Sequence, residues 1–179
     1  LYKQECNQLL RNKFAKKEEA ILVHISNFRK VKRVQDVVKI FEKVNKQVPS
    51  KLLMIGDGPE RLKAEQLCRK LGIAKHVRFL GKLKVIEKFL CIADVFVLPS
   101  ETESFGLVAL EAMASRVAVI STNSGGLPEV NIDGKTGYLS DVGDVNKMAN
   151  DTIDLLKDAD KLNQFKNNAL AHAKTFDLP

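Results

Sequence analysis

Between residues 20 and 140, short runs of β-branched and aliphatic residues alternate with stretches of helical period, and short glycine-rich turns join them. The apolar runs at 20–26, 51–55, 76–80, 93–98, 116–121 and 137–139 have the length and composition of strands buried on both faces. A helix is expected over 33–47, where Val34, Val37, Val38, Phe41 and Val44 recur at helical spacing. Another spans 59–72, with Pro59 in its first turn and Gly72 at its stop. Shorter helices are expected over 85–91 and near Leu127, a longer one begins at about Phe105, and two more fill 144–173. Strand and helix in alternation argue for a doubly wound, Rossmann-like parallel sheet, an α/β fold. In such sheets ligands bind beyond the carboxyl ends of the strands. Residues 1–19, polar and rich in lysine, form a helical lead-in or linker, and residues 20–179 the domain proper.

A chain of 179 residues is one domain with room for a proper core. Its 45% hydrophobic and 28% charged content is that of a globular protein. The net charge of +7 calls for an acidic partner, which a nucleotide diphosphate or a nucleic acid would satisfy. The basic residues are spread along helices and the aromatic residues lie in apolar runs, so no base-stacking platform stands out and no nucleic-acid partner is expected. Cys6, Cys68 and Cys91 are far apart and read as reduced thiols of a cytoplasmic protein. No apolar run approaches the ~20 residues of a membrane span, and no signal peptide is evident. The chain opens at Leu1 without an initiator Met and reads as a domain excised from a longer protein.

The stretch 98–113 carries the chemistry. A strand ends at Leu98, Pro99 and Ser100 turn the chain, and strong helix formers follow from about Phe105. The first amides of such a helix, near Ser104 to Leu107, have no intrahelical partner and sit at the positive end of the dipole, which favours a phosphate. Gly106 lets that phosphate come close to the backbone. Glu103 stands ahead of the helix and Glu111 inside it, about 9 Å apart along the axis at 1.5 Å per residue. A diphosphate fits between them, with Glu103 accepting from hexose hydroxyls and Glu111 from ribose hydroxyls. The plainer alternative is a solvated Glu103, with Glu111 paired to a base such as Arg116. Arg29, Lys32 and Arg33, in the loop after the first strand, could neutralise a leaving diphosphate or form a solvated basic turn.

Other motifs weigh less. Gly56-Asp57-Gly58-Pro59-Glu60-Arg61 lacks the third glycine of a dinucleotide fingerprint and reads as a tight turn beside the ligand. Gly134-Lys135-Thr136 has Glu129 where a P-loop needs glycine. Asp158-Ala159-Asp160 lies between two surface helices and reads as solvated. His24 and His76 fall in strands as packing residues, and with His172 they show no ligand spacing, so no metal and no cofactor are expected.

Glu103 and Glu111, with Ser104-Phe105-Gly106-Leu107-Val108 between them, resemble the signature of the retaining family-four glycosyltransferases of the two-domain GT-B fold. Ser26-Asn27-Phe28-Arg29, Lys32-Arg33, Gly56-Asp57-Gly58-Pro59-Glu60, Val77-Arg78-Phe79-Leu80-Gly81 and Gly125-Gly126-Leu127-Pro128-Glu129 match further motifs of that family in its order. The resemblance implies the C-terminal, donor-binding half, with a UDP-sugar as substrate and an acceptor held by an N-terminal domain that this chain lacks. The fragment alone would then be inactive, and a homo-oligomer of the complete protein stays open. Lys32, Arg29 and Glu103 would be catalytic. Asn27, Arg33, Gly56, Gly58, Ser104, Phe105, Gly106, Leu107, Glu111, Gly125 and Gly126 would bind the donor, and Gly81 and Lys82 would hold the base. Members commonly place an Arg five residues before the Lys; here that slot is Asn27, which leaves Arg29 and Arg33 as alternatives for the phosphate. The wording of residues 24–33 is similar to members that transfer N-acetylglucosamine from its UDP derivative to L-malate in bacillithiol synthesis. The alternatives are a member with a glycan or lipid acceptor, and a non-enzymatic nucleotide-binding α/β module.

Overall fold

A computed structural model of the protein describes residues 7–176. In chain order the elements are α1 (Asn7–Phe14), β1 (Ala20–Ile25), α2 (Val34–Asn45), β2 (Ser50–Ile55), α3 (Arg61–Lys70), β3 (Val77–Gly81), α4 (Glu87–Leu90), β4 (Val95–Leu98), α5 (Leu107–Ala114), β5 (Ala118–Thr122), α6 (Leu127–Val130), β6 (Gly137–Ser140), α7 (Val145–Lys157) and α8 (Ala159–Ala173). Single 3₁₀ turns at Lys30–Lys32 and Ala74–His76 precede α2 and β3. The six strands form one parallel sheet in the order β3-β2-β1-β4-β5-β6, the doubly wound arrangement that the alternation predicts.

The period of two along the central strands divides the core into two layers. Leu22 of β1, Leu52 and Met54 of β2, and Val95 and Val97 of β4 pack with the apolar faces of α2 and α7. Ile21 and Val23, Leu53 and Ile55, and Phe96 and Leu98 point the other way, against α5 and α8. Strands buried on both faces must be apolar throughout, which is why these runs do not alternate with polar residues.

Chain direction through the sheet reverses between β1 and β4, where Leu22 pairs Val95 and Val23 pairs Phe96. From β1 the chain runs through α2 to β2; from β4 it runs through α5 to β5 on the opposite side. The loops after β1 and β4 diverge, and a crevice opens between them at the carboxyl ends of the strands.

Several boundaries differ from expectation. The strand expected over 93–98 begins only at Val95 because Asp94 is diverted into an anchor. Its carboxylate accepts from the Ile21 amide (2.9 Å), from Arg11 of α1 (3.2 Å) and from Lys166 of α8 (3.0 Å). Burial opposes its ionisation, but Lys166, Arg11 and the amide outweigh it and hold the carboxyl below its usual range. Of the lead-in, α1 thus docks on the sheet through Arg11, while residues 1–6, Cys6 among them, lie outside the described residues. Cys68 is buried, which pushes its thiol up to about 11. His76, expected in a strand, closes the 3₁₀ turn before β3, with its Nδ1 3.1 Å from Lys51 Nζ. Asp158 caps α8, accepting from the Lys161 amide at 3.1 Å. Among the described residues, no helix is long and apolar enough to cross a membrane.

Candidate active site

The loop after β1 is shaped by a buried imidazole. His24 is fully buried; its Nδ1 lies 2.8 Å from the Val97 carbonyl of β4 and its Nε2 2.8 Å from Ser26 Oγ. A carbonyl can only accept, so Nδ1 carries the proton and the Ser26 hydroxyl donates to Nε2. Ser26 Oγ in turn accepts from the Phe28 amide at 3.2 Å. Phe28 is fully buried at a φ of 50°, which turns the chain toward Asn27, Arg29 and Lys32. The turn after β2 backs this loop from behind. A Cβ on Gly56 would stand 1.8 Å from the Ser26 carbonyl oxygen, and one on Gly58 1.9 Å from that of Asn27. Both glycines therefore meet protein backbone there; the Glu60 amide donates to the Phe28 carbonyl (3.0 Å) and Gly56 to the Gly81 carbonyl (2.8 Å).

Burial lowers the imidazole from 6.5 to about 4, against a Val97 hydrogen bond that raises it, and Lys32 adds to the lowering. Between those values an unfolded chain holds a proton that the folded one does not. The stability this group contributes is thus fully present above pH 6.5 and lost as pH falls toward 4. Urea unfolding at pH 7 and pH 4.5 should differ by about 2–3 kcal/mol from this group, with the His24 ring titrating near 4 by NMR. A ring midpoint near 6.5 would contradict the burial argument.

The loop after β4 is braced from the other side. The Ser100 carbonyl accepts from Thr122 Oγ1 (2.7 Å) and Ser124 Oγ (3.1 Å), and the Glu101 amide donates to the Val31 carbonyl (2.8 Å). The Gly126 amide donates to the Glu103 carbonyl at 3.0 Å, and Gly125, at a φ of 53°, presses so close that a Cβ would stand 1.9 Å from the same oxygen. Gly106 then adopts a left-handed φ of 65° and serves as N-cap, so α5 starts at Leu107 and not at Phe105. No side chain caps this terminus, and among the described residues the amides of Leu107, Val108 and Ala109 donate to no backbone carbonyl. Phe105 and Leu107 are 74% and 54% exposed at its lip.

Between the loops lies an open cleft of about 400 Å³, lined by Ser26, Asn27, Lys32, Thr102, Glu103 and the turn 104–108. Among the described residues Lys32 is the one cation that lines it, and its Nζ donates to Glu103 Oε1 at 2.6 Å. Ser100 Oγ donates to the same oxygen at 3.0 Å.

Of the residues singled out by sequence, the structure gathers Asn27, Lys32, Glu103, Ser104, Phe105, Gly106 and Leu107 around one cleft. Arg33 is turned away to Asp36 (2.6 Å) and Glu101 (2.9 Å) and lines a neighbouring hollow of about 220 Å³. The bond to Asp36, and then that to Glu101, hold its guanidinium above its usual range. Arg29 is exposed and is not among the residues lining the cleft; its backbone amide donates to Asn27 Oδ1 at 3.3 Å. Gly81 ends β3 at a φ of 71°, with Lys82 exposed beside it. The carboxylate of Glu111, on the second turn of α5, makes no hydrogen bond or ion pair among the described residues; Arg116 bonds Asn167 instead, at 2.8 Å. Partial burial, and then Glu87, push its carboxyl up. Ser26, Ser100 and Thr102 were not picked out from sequence. A serine directly after a strand and its proline was the available signal for Ser100.

A Rossmann-like sheet with an uncapped helix terminus, a lysine and a carboxylate at its switch point has the chemistry to hold a phosphorylated ligand. The chain belongs to the group 1 glycosyl transferases, whose family profile matches residues 7–172. It is 50% identical over 157 residues to the N-acetyl-alpha-D-glucosaminyl L-malate synthase of Bacillus anthracis, covering 88% of this chain and 41% of that protein. It superposes on the sucrose-phosphate synthase of Thermosynechococcus elongatus with a TM-score of 0.86 at 27% identity, covering 96% of this chain and 44% of the other. A TarM mutant from S. aureus, solved with fondaparinux, alpha-GlcNAc-glycerol and UDP, matches with a TM-score of 0.82 at 25% identity, over 88% of this chain and 33% of that one. The fold is thus that of one half of a GT-B glycosyltransferase, and the chain spans about two fifths of the length of the curated relative.

Proposed function

We propose that this chain is the donor-binding half of a retaining glycosyltransferase whose donor is UDP-N-acetylglucosamine, and that the complete protein transfers the sugar to L-malate. The observation that carries the reading is the convergence of Lys32, Glu103 and the open helix terminus at Leu107 and Val108 on one cleft. The 50% identity to a malate synthase supports the donor and acceptor, and the UDP in the TarM structure supports the nucleotide.

The chemistry runs as follows. The diphosphate sits against the α5 amides, where backbone N–H groups and the helix dipole favour negative charge. Glu111 accepts from the ribose hydroxyls and Glu103 from the hexose. When the anomeric carbon–oxygen bond breaks, charge grows on the β-phosphate of the departing UDP, and Lys32 with the amides stabilises it in the transition state. Arg29, exposed on the same loop as Lys32, joins them. Donor and acceptor are held by two domains, so orientation across the interdomain cleft supplies the rest of the rate.

Glu111→Ala should weaken UDP binding by the full-length protein about tenfold, the loss of a charge-assisted hydrogen bond to a ribose hydroxyl. Titration calorimetry showing unchanged affinity would move the ribose elsewhere. The function itself is tested by UDP release from UDP-N-acetylglucosamine with full-length protein and a panel of acceptors. The account expects release that depends on L-malate; release driven by a glycan or lipid alone would replace the acceptor, and no UDP binding would remove the reading.

A further inference from the structure

We propose that Lys32 and Glu103 exchange partners when donor enters, with Ser100 holding Glu103 through the exchange, so that the cleft favours the intact sugar nucleotide over spent UDP. This rests on the donor-site reading above. Lys32 Nζ and Ser100 Oγ both donate to one oxygen of Glu103, Oε1, at 2.6 and 3.0 Å. The other oxygen makes no hydrogen bond among the described residues. The pair is largely shielded, with side-chain exposures of 20% for Lys32 and 11% for Glu103, so its attraction is only partly screened. Ser100 is itself fully buried, and its carbonyl is gripped by the side chains of Thr122 and Ser124, which fixes where its hydroxyl stands.

A diphosphate arriving at the α5 terminus brings about two negative charges and draws the ammonium from the single carboxylate charge. Glu103 is then left with Ser100 alone beside a new anion. A shielded carboxylate stripped of its cation is costly unless other donors replace it. The hydroxyls of an attached hexose supply those donors; UDP, whose ribose hydroxyls lie at Glu111, brings none to Glu103. Binding of UDP therefore carries the cost of the broken pair, whereas binding of the UDP-sugar offsets it. After transfer the hydroxyls depart with the product sugar, Glu103 recaptures Lys32, and UDP is released more readily.

The exchange predicts an unusual sign. In full-length protein, calorimetry should find Glu103→Gln binding UDP about fivefold tighter than the parent, because nothing holds Lys32 back, yet binding UDP-N-acetylglucosamine at least fivefold weaker. The tightening should vanish in a Lys32→Met background. Ser100→Ala should leave UDP affinity within about twofold while weakening UDP-N-acetylglucosamine about threefold. Should Ser100→Ala fail to fold, the near-isosteric Glu103→Gln and its double variant still decide. Unchanged or weaker UDP binding by Glu103→Gln overturns the exchange while leaving the donor-site reading intact. Tightening that persists without Lys32 overturns it too, by tracing the effect to general repulsion. A parent protein that binds neither nucleotide overturns both.

Discussion

Lys32→Ala is expected to lower turnover by the full-length protein a hundredfold or more, with a smaller loss of stability. Among the described residues Lys32 is the one cation lining the cleft, carried on the 3₁₀ turn between β1 and α2, where the Glu101 amide donates to the Val31 carbonyl. Removing a single preorganised donor from a site of developing negative charge costs about 2.7–4 kcal/mol of transition-state stabilisation, which is the hundredfold to thousandfold range. The folded state loses less. The pair is largely shielded, so removing Lys32 leaves Glu103 with Ser100 alone, at a cost of about 1–2 kcal/mol. Steady-state kinetics with UDP-N-acetylglucosamine and L-malate, alongside a thermal melt, separate the two effects. Near-normal kinetics would take Lys32 out of the mechanism.

Gly125→Ala should be nearly as damaging, although Gly125 carries no chemical group. Its added methyl would lie 1.9 Å from the Glu103 carbonyl oxygen and 2.9 Å from the carbonyl carbon, backbone atoms that no rotamer change can move aside. The residue also sits at a φ of 53°, where a side chain adds strain of its own. Relief requires the segment from Glu103 to Gly106 to shift, which breaks the Gly126 bond to Glu103 and displaces the carboxylate and the open amides together. The expected result is at least a hundredfold weaker UDP binding, with a stability loss of about 1–3 kcal/mol. Gly134→Ala is the control: its φ is 75° and nothing lies within 4 Å of the new methyl, so it should cost only the local backbone strain of about 1 kcal/mol. Equal effects on nucleotide affinity from the two variants would mean that the close approach at Gly125 does not shape the site.

Much of this architecture was legible in the chain itself. Buried parallel strands advertise themselves as apolar runs, and motifs that fall at their carboxyl ends mark a crevice before any coordinates exist. The stop of α3 at Gly72, in a left-handed turn, was readable from local chemistry alone. What could not be read was decided by residues distant in sequence. Gly106 takes the N-cap because Gly125 and Gly126 pin the preceding loop, and α5 starts two residues late as a result. Arg33 looks as eligible for phosphate as Lys32, yet Asp36 and Glu101 take it out of the cleft. Lys32 and Glu103, 71 positions apart, meet only because β1 and β4 are neighbours in the sheet. His24 in an apolar strand looked like a packing residue; its hydrogen bonds to Val97 and Ser26 depend on that same neighbour.

The most direct test is a crystal structure of the full-length protein with UDP-N-acetylglucosamine. The account predicts pyrophosphate oxygens within hydrogen-bond distance of the amides that begin α5 and of Lys32 Nζ, with Glu103 transferred to the sugar and Glu111 on the ribose. A nucleotide seated elsewhere, with those amides still open to solvent and Lys32 still bound to Glu103, would contradict it.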